Sequence, residues 1–236
     1  MSLQIRNIVF ACPGNTPETY AEGARPAAMF YARLLGLQII REDWIVVGDP
    51  DDPSALRLAF GDGPIDYDPP RWPDPAHPQQ LHLDIAVPDL TAAPDDAALL
   101  HDYGDHRVYA DPIGHPFCLY EEPTDRARVT RVVIDCADPQ ALAAFYSRLL
   151  DLPDRELDTP DRVVLTGSPA VAFQRSTSEP PRWPDPAYPQ QVHLDLFTTD
   201  VPAGRSHAVA SGAQPLQTTG SNHHVYADPA GHPFCL

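Results

Sequence analysis

No apolar run in the 236-residue chain reaches the ~18 residues that a membrane-spanning helix needs, so no such helix is expected. The opening MSLQIRNIVF lacks a basic stretch followed by an apolar segment and a small-residue cleavage site, so a secretory leader is not expected either. Basic residues are few: 16 Lys and Arg stand against 33 Asp and Glu, for a net charge of −17. That balance excludes the basic patch that nucleic acid requires, and it disfavours anionic membrane surfaces. Cysteine is sparse. Cys12, Cys118, Cys136 and Cys235 form no Cys-x-x-Cys and are too few for a disulfide scaffold. Free thiols in a cytoplasmic setting are the expectation.

An apolar fraction of 43% and a charged fraction of 21% are those of a globular protein, and the length suffices for two domains with their own cores. The 29 prolines cluster at element boundaries and read as rigid loops. One stretch occurs twice. Residues 70–84 read PRWPDPAHPQQLHLD and residues 181–195 read PRWPDPAYPQQVHLD, differing only at His77/Tyr188 and Leu81/Val192. The endings also repeat, HRVYADPIGHPFCL against HHVYADPAGHPFCL. The chain is therefore an internal duplication, with domains expected over 1–122 and 126–236.

Each repeat opens on a strand, QIRNIVFA and VTRVVIDC. In the first, Thr16 and Pro17 start a helix, and Pro26 is expected to begin a second piece that Gly36 ends. In the second, Asp138 and Pro139 start the helix. The echoed Phe-Tyr-x-Arg-Leu-Leu lies on both. Further strands lead to the proline stretch and to the strands at 80–87 and 191–197. Asp89 is expected to cap a helix running through His101, and Asp200 with Pro202 another ending near Gly212.

Strand alternation puts Gln80, His82 and Asp84 on one face and Leu81, Leu83 and Ile85 on the other, and likewise for Gln191, His193 and Asp195. The polar face should line a cleft, with His and Asp roughly 7 Å apart along the strand. Histidine there suits proton transfer or metal ligation, or a hydrogen bond held by its neighbours. Cys118 and Cys235 read as soft ligands, nucleophiles or small core filler. Cys12 and Cys136 alternate with core positions. Trp72 and Trp183 either stack on a flat ligand or pin the proline loop. Tyr109 and Tyr226 are candidates to face the cleft. His115 and His232, after the turn glycine, are expected to hydrogen-bond the turn backbone.

The duplicated pattern, with its Asp-Pro-x-Gly-His turn, resembles the vicinal oxygen chelate superfamily: glyoxalase I, extradiol dioxygenases, fosfomycin resistance and bleomycin-binding proteins. The Pro-Arg-Trp-Pro-Asp-Pro lead-in and the Gly-His-Pro-Phe-Cys ending are similar to glyoxalase-like domains common in actinobacteria. The resemblance implies an α+β fold of tandem glyoxalase-like domains. Each would have two βαβββ units, with a curved mixed sheet forming a cleft. Metal-dependent members take ligands from an opening strand, a middle strand and a closing strand. Those positions fall here on Asn7 and Arg131, His82 and His193, and Cys118 and Cys235. Arg131 puts positive charge where a cation would sit. The expectation is therefore no cofactor, and a metal-independent cleft that binds a small organic molecule in an internal pseudo-dimer, itself a monomer. The alternative is a lyase, isomerase or dioxygenase using a divalent Zn, Ni or Fe held by the strand histidines and cysteines.

Overall fold

The computed structural model describes residues 3–13, 17–63, 67–185, 187–217 and 223–236. The chain opens with β1 (Gln4–Cys12), α1 (Pro17–Leu35), β2 (Gln38–Arg41), β3 (Ile45–Gly48) and β4 (Arg57–Asp62). The first repeat closes with β5 (Leu81–Val87), β6 (Ala98–Asp102), β7 (His106–Ala110) and β8 (Pro116–Glu121). The second contains β9 (Arg128–Cys136), α2 (Pro139–Leu150), β10 (Arg155–Asp158), β11 (Arg162–Leu165) and β12 (Ala170–Arg175). It ends with β13 (Val192–Phe197), α3 (Val201–Ser211), β14 (Gln214–Gln217), β15 (Val225–Ala227) and β16 (Pro233–Cys235).

These strands form two open, mixed sheets of eight. The first runs β14-β15-β16-β13-β1-β4-β3-β2 and the second β10-β11-β12-β9-β5-β8-β7-β6. Each sheet thus takes one half of each repeat. The proline stretch between β4 and β5 carries the chain from the first sheet to the second. Its copy between β12 and β13 carries it back. Each sheet is sewn at its centre by an antiparallel pair from different repeats. Asn7 lies opposite Asp195 in one, and Asp84 opposite Arg131 in the other.

Helix ends follow local chemistry. Asp138 and Asp200 accept the backbone N–H groups of Ala141 and Ala203, both at 3.0 Å, and a proline occupies the first turn of each helix. Gly212, at φ 112°, ends α3. α1 is one helix with Pro26 inside it, not two pieces. Its face of Ala24, Ala27, Ala28, Phe30 and Tyr31 is buried on both sides of the proline. That packing outweighs an interior-proline cost of ~3 kcal/mol. Thr16 lies outside the described residues. The helix expected after Asp89 is instead a single 3-10 turn, Leu90–Ala92, followed by β6. Pro94 interrupts the segment. β6 is exposed throughout, held at the sheet edge by its ladder to β7, so no apolar pattern marks it.

One buried cluster, with Phe10, Phe30, Phe117, Phe145, Phe173 and Phe234 among its members, joins both repeats. The two sheets also meet across a glutamine pair. The Gln80 N–H donates to Gln191 Oε1 at 3.0 Å and the Gln191 N–H to Gln80 Oε1 at 2.9 Å. Their side-chain amides donate to the carbonyls of Pro189 and Pro78, both at 2.8 Å. Gln80 and Gln191 were expected on the cleft face. They sit just ahead of their strands, where the backbone of the other repeat takes every hydrogen bond they offer. Gln80→Ala should cost about 1–3 kcal/mol, because it strands buried backbone partners. The Gln80→Ala/Gln191→Ala double variant should cost clearly less than the sum of the singles, which urea unfolding of the four proteins would read.

Candidate functional site

The alternation read from the sequence places His82 and Asp84 together on one face of the second sheet, and His193 and Asp195 together on one face of the first. Each pair is joined by the closing-strand cysteine. The ligand atoms of His82, Asp84 and Cys118 lie within 4.8 Å of one another, and so do those of His193, Asp195 and Cys235. His82 Nε2 is 3.4 Å from Asp84 Oδ1, and His193 Nε2 is 3.4 Å from Asp195 Oδ1. Burial opposes a charged imidazole at both places. The Asp carboxylate and Cys thiol close beside each ring favour its charged form, outweigh burial and lift His82 and His193 to about 10.

The opening-strand residue reaches each trio from the other repeat, a consequence of the shared sheets. At the first sheet the Asn7 amide donates to Asp195 Oδ2 at 2.8 Å. Burial pushes the Asp195 carboxyl up. His193, Asn7 and nearby His223 more than offset this and hold it below its ordinary value. At the second sheet Arg131 Nη1 stands 3.9 Å, and Arg162 Nη2 3.4 Å, from Asp84 Oδ2. Arg131 is also paired with Glu156 at 2.9 Å. Asp84 is 0% exposed, whereas Asp195 is 20% exposed. The paired registers set Trp44 where the second sheet has Arg162, one residue before Ile45 and Val163. One cleft is therefore crowded by guanidinium groups and the other walled by indole.

A cavity of about 490 Å³ opens over the first-sheet trio, lined also by Trp44, Trp183, Arg41 and His223. Trp183 is where a cleft-stacking residue would be. Trp72 holds the same place in the other proline loop and is half-buried. Tyr109 and Tyr226 do not face a cleft. They stack on Phe117 and Phe234 in the core, because alternation along β7 and β15 puts Val108 and Val225 on the opposite face. Cys12 and Cys136 are core, as expected.

Sequence reasoning missed several groups. The Gln79 amide lies 3.1 Å from His82 Nδ1 and donates to the Asp135 carboxylate at 3.2 Å, which Gln174 also reaches at 2.7 Å. Burial raises Asp135, with His82 and the two amides opposing. The doubled glutamine of Pro-Gln-Gln was the available signal for Gln79. Aligning β3 with β11 would have exposed the exchange of Trp44 for Arg162.

Imidazole, carboxylate and thiol are donors that zinc and neighbouring divalent metals accept. The two trios differ in charge. Two guanidinium groups already face Asp84, so a cation fits poorly there. Asn7, being neutral, leaves the first-sheet trio compatible with one.

Paired βαβββ modules, crossing between repeats to build two concave clefts with a histidine on the middle strand, are the architecture of the vicinal oxygen chelate superfamily. A family model for the glyoxalase-like domain matches twice, over residues 19–120 and 131–236, and the chain belongs to that family. Among solved structures it is similar to glyoxalase I from Zea mays, at 17% identity and TM-score 0.63, covering 100% of this chain and 92% of that one. A mutant of the maize enzyme aligns at 16% identity and TM-score 0.66, covering 100% and 93%. The cppA protein of Streptococcus pneumoniae TIGR4 aligns at 12% identity and TM-score 0.52, covering 98% of each chain. Likeness at these identities is one of fold. No match was found among curated proteins.

Proposed function

We propose that the chain binds a small planar organic molecule in the first-sheet cleft, and that this binding needs no metal. The observation behind the reading is the cavity of about 490 Å³ with two indoles on its walls and His193, Asp195 and Cys235 at its floor. That size suits a small ligand, and few polar groups on an aromatic wall suit a flat one. The Asp195 oxygens are engaged by His193 and Asn7, so the floor is satisfied internally and can present His193 as a donor. Arg41, whose guanidinium pairs with Asp43 at 2.7 Å, and His223 lie alongside, so an aromatic acid is the ligand class we take as probe. Four free thiols fit a cytoplasmic setting.

A second reading rests on the convergence of the first-sheet trio. His193, Asp195 and Cys235 would hold a divalent metal, which would supply Lewis-acid polarisation of a bound oxygen. His193 would then orient through its second nitrogen, and the indoles would exclude water.

The two readings separate experimentally. A panel of planar aromatic acids is titrated into chelator-treated protein, with tryptophan fluorescence as the signal. Binding should survive chelation. It should weaken at least about tenfold, or ~1.4 kcal/mol, in His193→Ala and in Trp183→Ala, and change little in His82→Ala. Loss of binding on chelation, with stoichiometric metal uptake that His193→Ala abolishes, would replace the first reading by the second.

A further inference from the structure

The two repeats differ where the closing turn meets the proline loop. In the first, the Tyr67 hydroxyl lies 2.7 Å from His115 Nε2, and the tyrosine ring is buried. The imidazole thus meets a side chain, not the turn backbone as expected. The equivalent of Tyr67 in the second repeat, 111 residues on, is Ser178. The equivalents of Ile113 and His115, 117 residues on, are Ala230 and His232.

The second turn repeats the backbone hydrogen bonds of the first. The backbone N–H of each histidine donates to Oδ1 of Asp111 or Asp228 at 3.0 Å. The imidazole Nδ1 atoms face Oδ2 of the same residues at 3.6 and 3.3 Å. His232 therefore holds the pose of His115 without its phenol. It is 6% exposed, and none of the described residues hydrogen-bonds its Nε2. In place of the missing ring lies a cavity of about 270 Å³, lined by His232, Ser176, Ser178, Ala230 and Cys136. The two large-to-small exchanges, Tyr to Ser and Ile to Ala, both fall on its lining. Asp135, Asp138 and Glu179 are among its lining residues, with Asp135 bonded by Gln79 and Gln174, Asp138 by the Ala141 N–H and Glu179 by Arg182.

We propose that this cavity is a second binding site, for a neutral or cationic phenol. The ring takes the place that Tyr67 fills in the first repeat, and the hydroxyl bonds His232 Nε2. The first repeat is the template: it shows a phenol seated on the same histidine within the same turn. A volume below that of drug-sized pockets limits the ligand to a single ring with small substituents. Three acidic residues in the lining disfavour aromatic acids, which separates this site from the first-sheet cleft; the proposal does not depend on the reading of that cleft.

p-Cresol, the tyrosine side chain as a free molecule, is the probe. It is titrated into the full chain by calorimetry, with imidazole NMR resonances followed in parallel. The wild type should show one saturable site that shifts the His232 resonances. 4-Hydroxybenzoate should bind there at least tenfold more weakly. Ser178→Tyr should abolish the site with the melting temperature kept or raised, since the new ring fills the cavity. Ala230→Ile, which restores the other bulky residue, should weaken it at least tenfold. His193→Ala should leave it unchanged. No saturable binding by the wild type, or binding in both filling variants equal to wild type, would overturn the proposal. So would loss of p-cresol binding in His193→Ala, because the ligand would then lie in the cleft.

Discussion

Replacing Asp84 by Ala should lower the unfolding free energy by about 3 kcal/mol, and replacing Asp195 by about half as much. The two aspartates are repeat equivalents with the same strand position and the same histidine contact. Their surroundings decide the difference. Asp84 is 0% exposed and is the shared counter-charge of Arg131, Arg162 and a His82 whose charged form is favoured. Removing one member of a buried ionic cluster leaves the others uncompensated, at a cost of ~3–5 kcal/mol. The lower end applies because both guanidinium groups are part-exposed, at 23% and 32%, and can lean into water. Asp195 has a neutral amide as its second partner and is itself 20% exposed. Its loss removes hydrogen bonds to a charged group, ~1.5–3 kcal/mol at most. Urea unfolding of both single variants, with Asp84→Asn to hold shape while removing charge, reads the contrast. Equal losses at the two positions would mean that the arginines do not depend on Asp84, and the charge asymmetry of the clefts would fall with that result.

That asymmetry was only half legible in the sequence. The duplicated Gln-Gln-x-His-Leu-Asp strand announced a polar face, and alternation assigned His82, Asp84, His193 and Asp195 to it correctly, because side-chain direction in a strand is a local property. Which opening strand completes each trio is not local. It follows from β1 pairing with β13 and β5 with β9, partners far apart in the chain, and nothing in the residues of β1 names its partner. Gln80 shows the same limit. Its alternation phase pointed to the cleft, yet it precedes the strand and is captured by the other repeat. Tyr109 belongs to a strand whose phase could not be anchored until Phe117 was seen beside it. The groups that distinguish the clefts, Trp44 and Arg162, lie outside every repeated motif, because they are where the repeats diverged.

Stability should fall as pH rises from about 6.5 toward 10, and His82 and His193 should account for the first part of the fall. Both have folded-state values raised to about 10 against an ordinary 6.5. A raised value means that the folded chain holds protons which the unfolded chain releases. The stabilisation is therefore complete below the unfolded value of 6.5 and is lost progressively up to about 10. Within that window every rise in pH lowers stability through both histidines. Cys136, raised from 9.0 to about 12 by burial, acts in the same direction but only above pH 9. The interval from 6.5 to 9 thus isolates the histidines. Urea midpoints of the wild type should drop steadily across this interval. Those of a His82→Gln/His193→Gln double variant should stay flat, whatever its absolute stability. A wild-type profile as flat as the variant's would show that Asp84 and Asp195 do not hold protonated imidazoles in either cleft, and that His193 meets a ligand as a neutral ring.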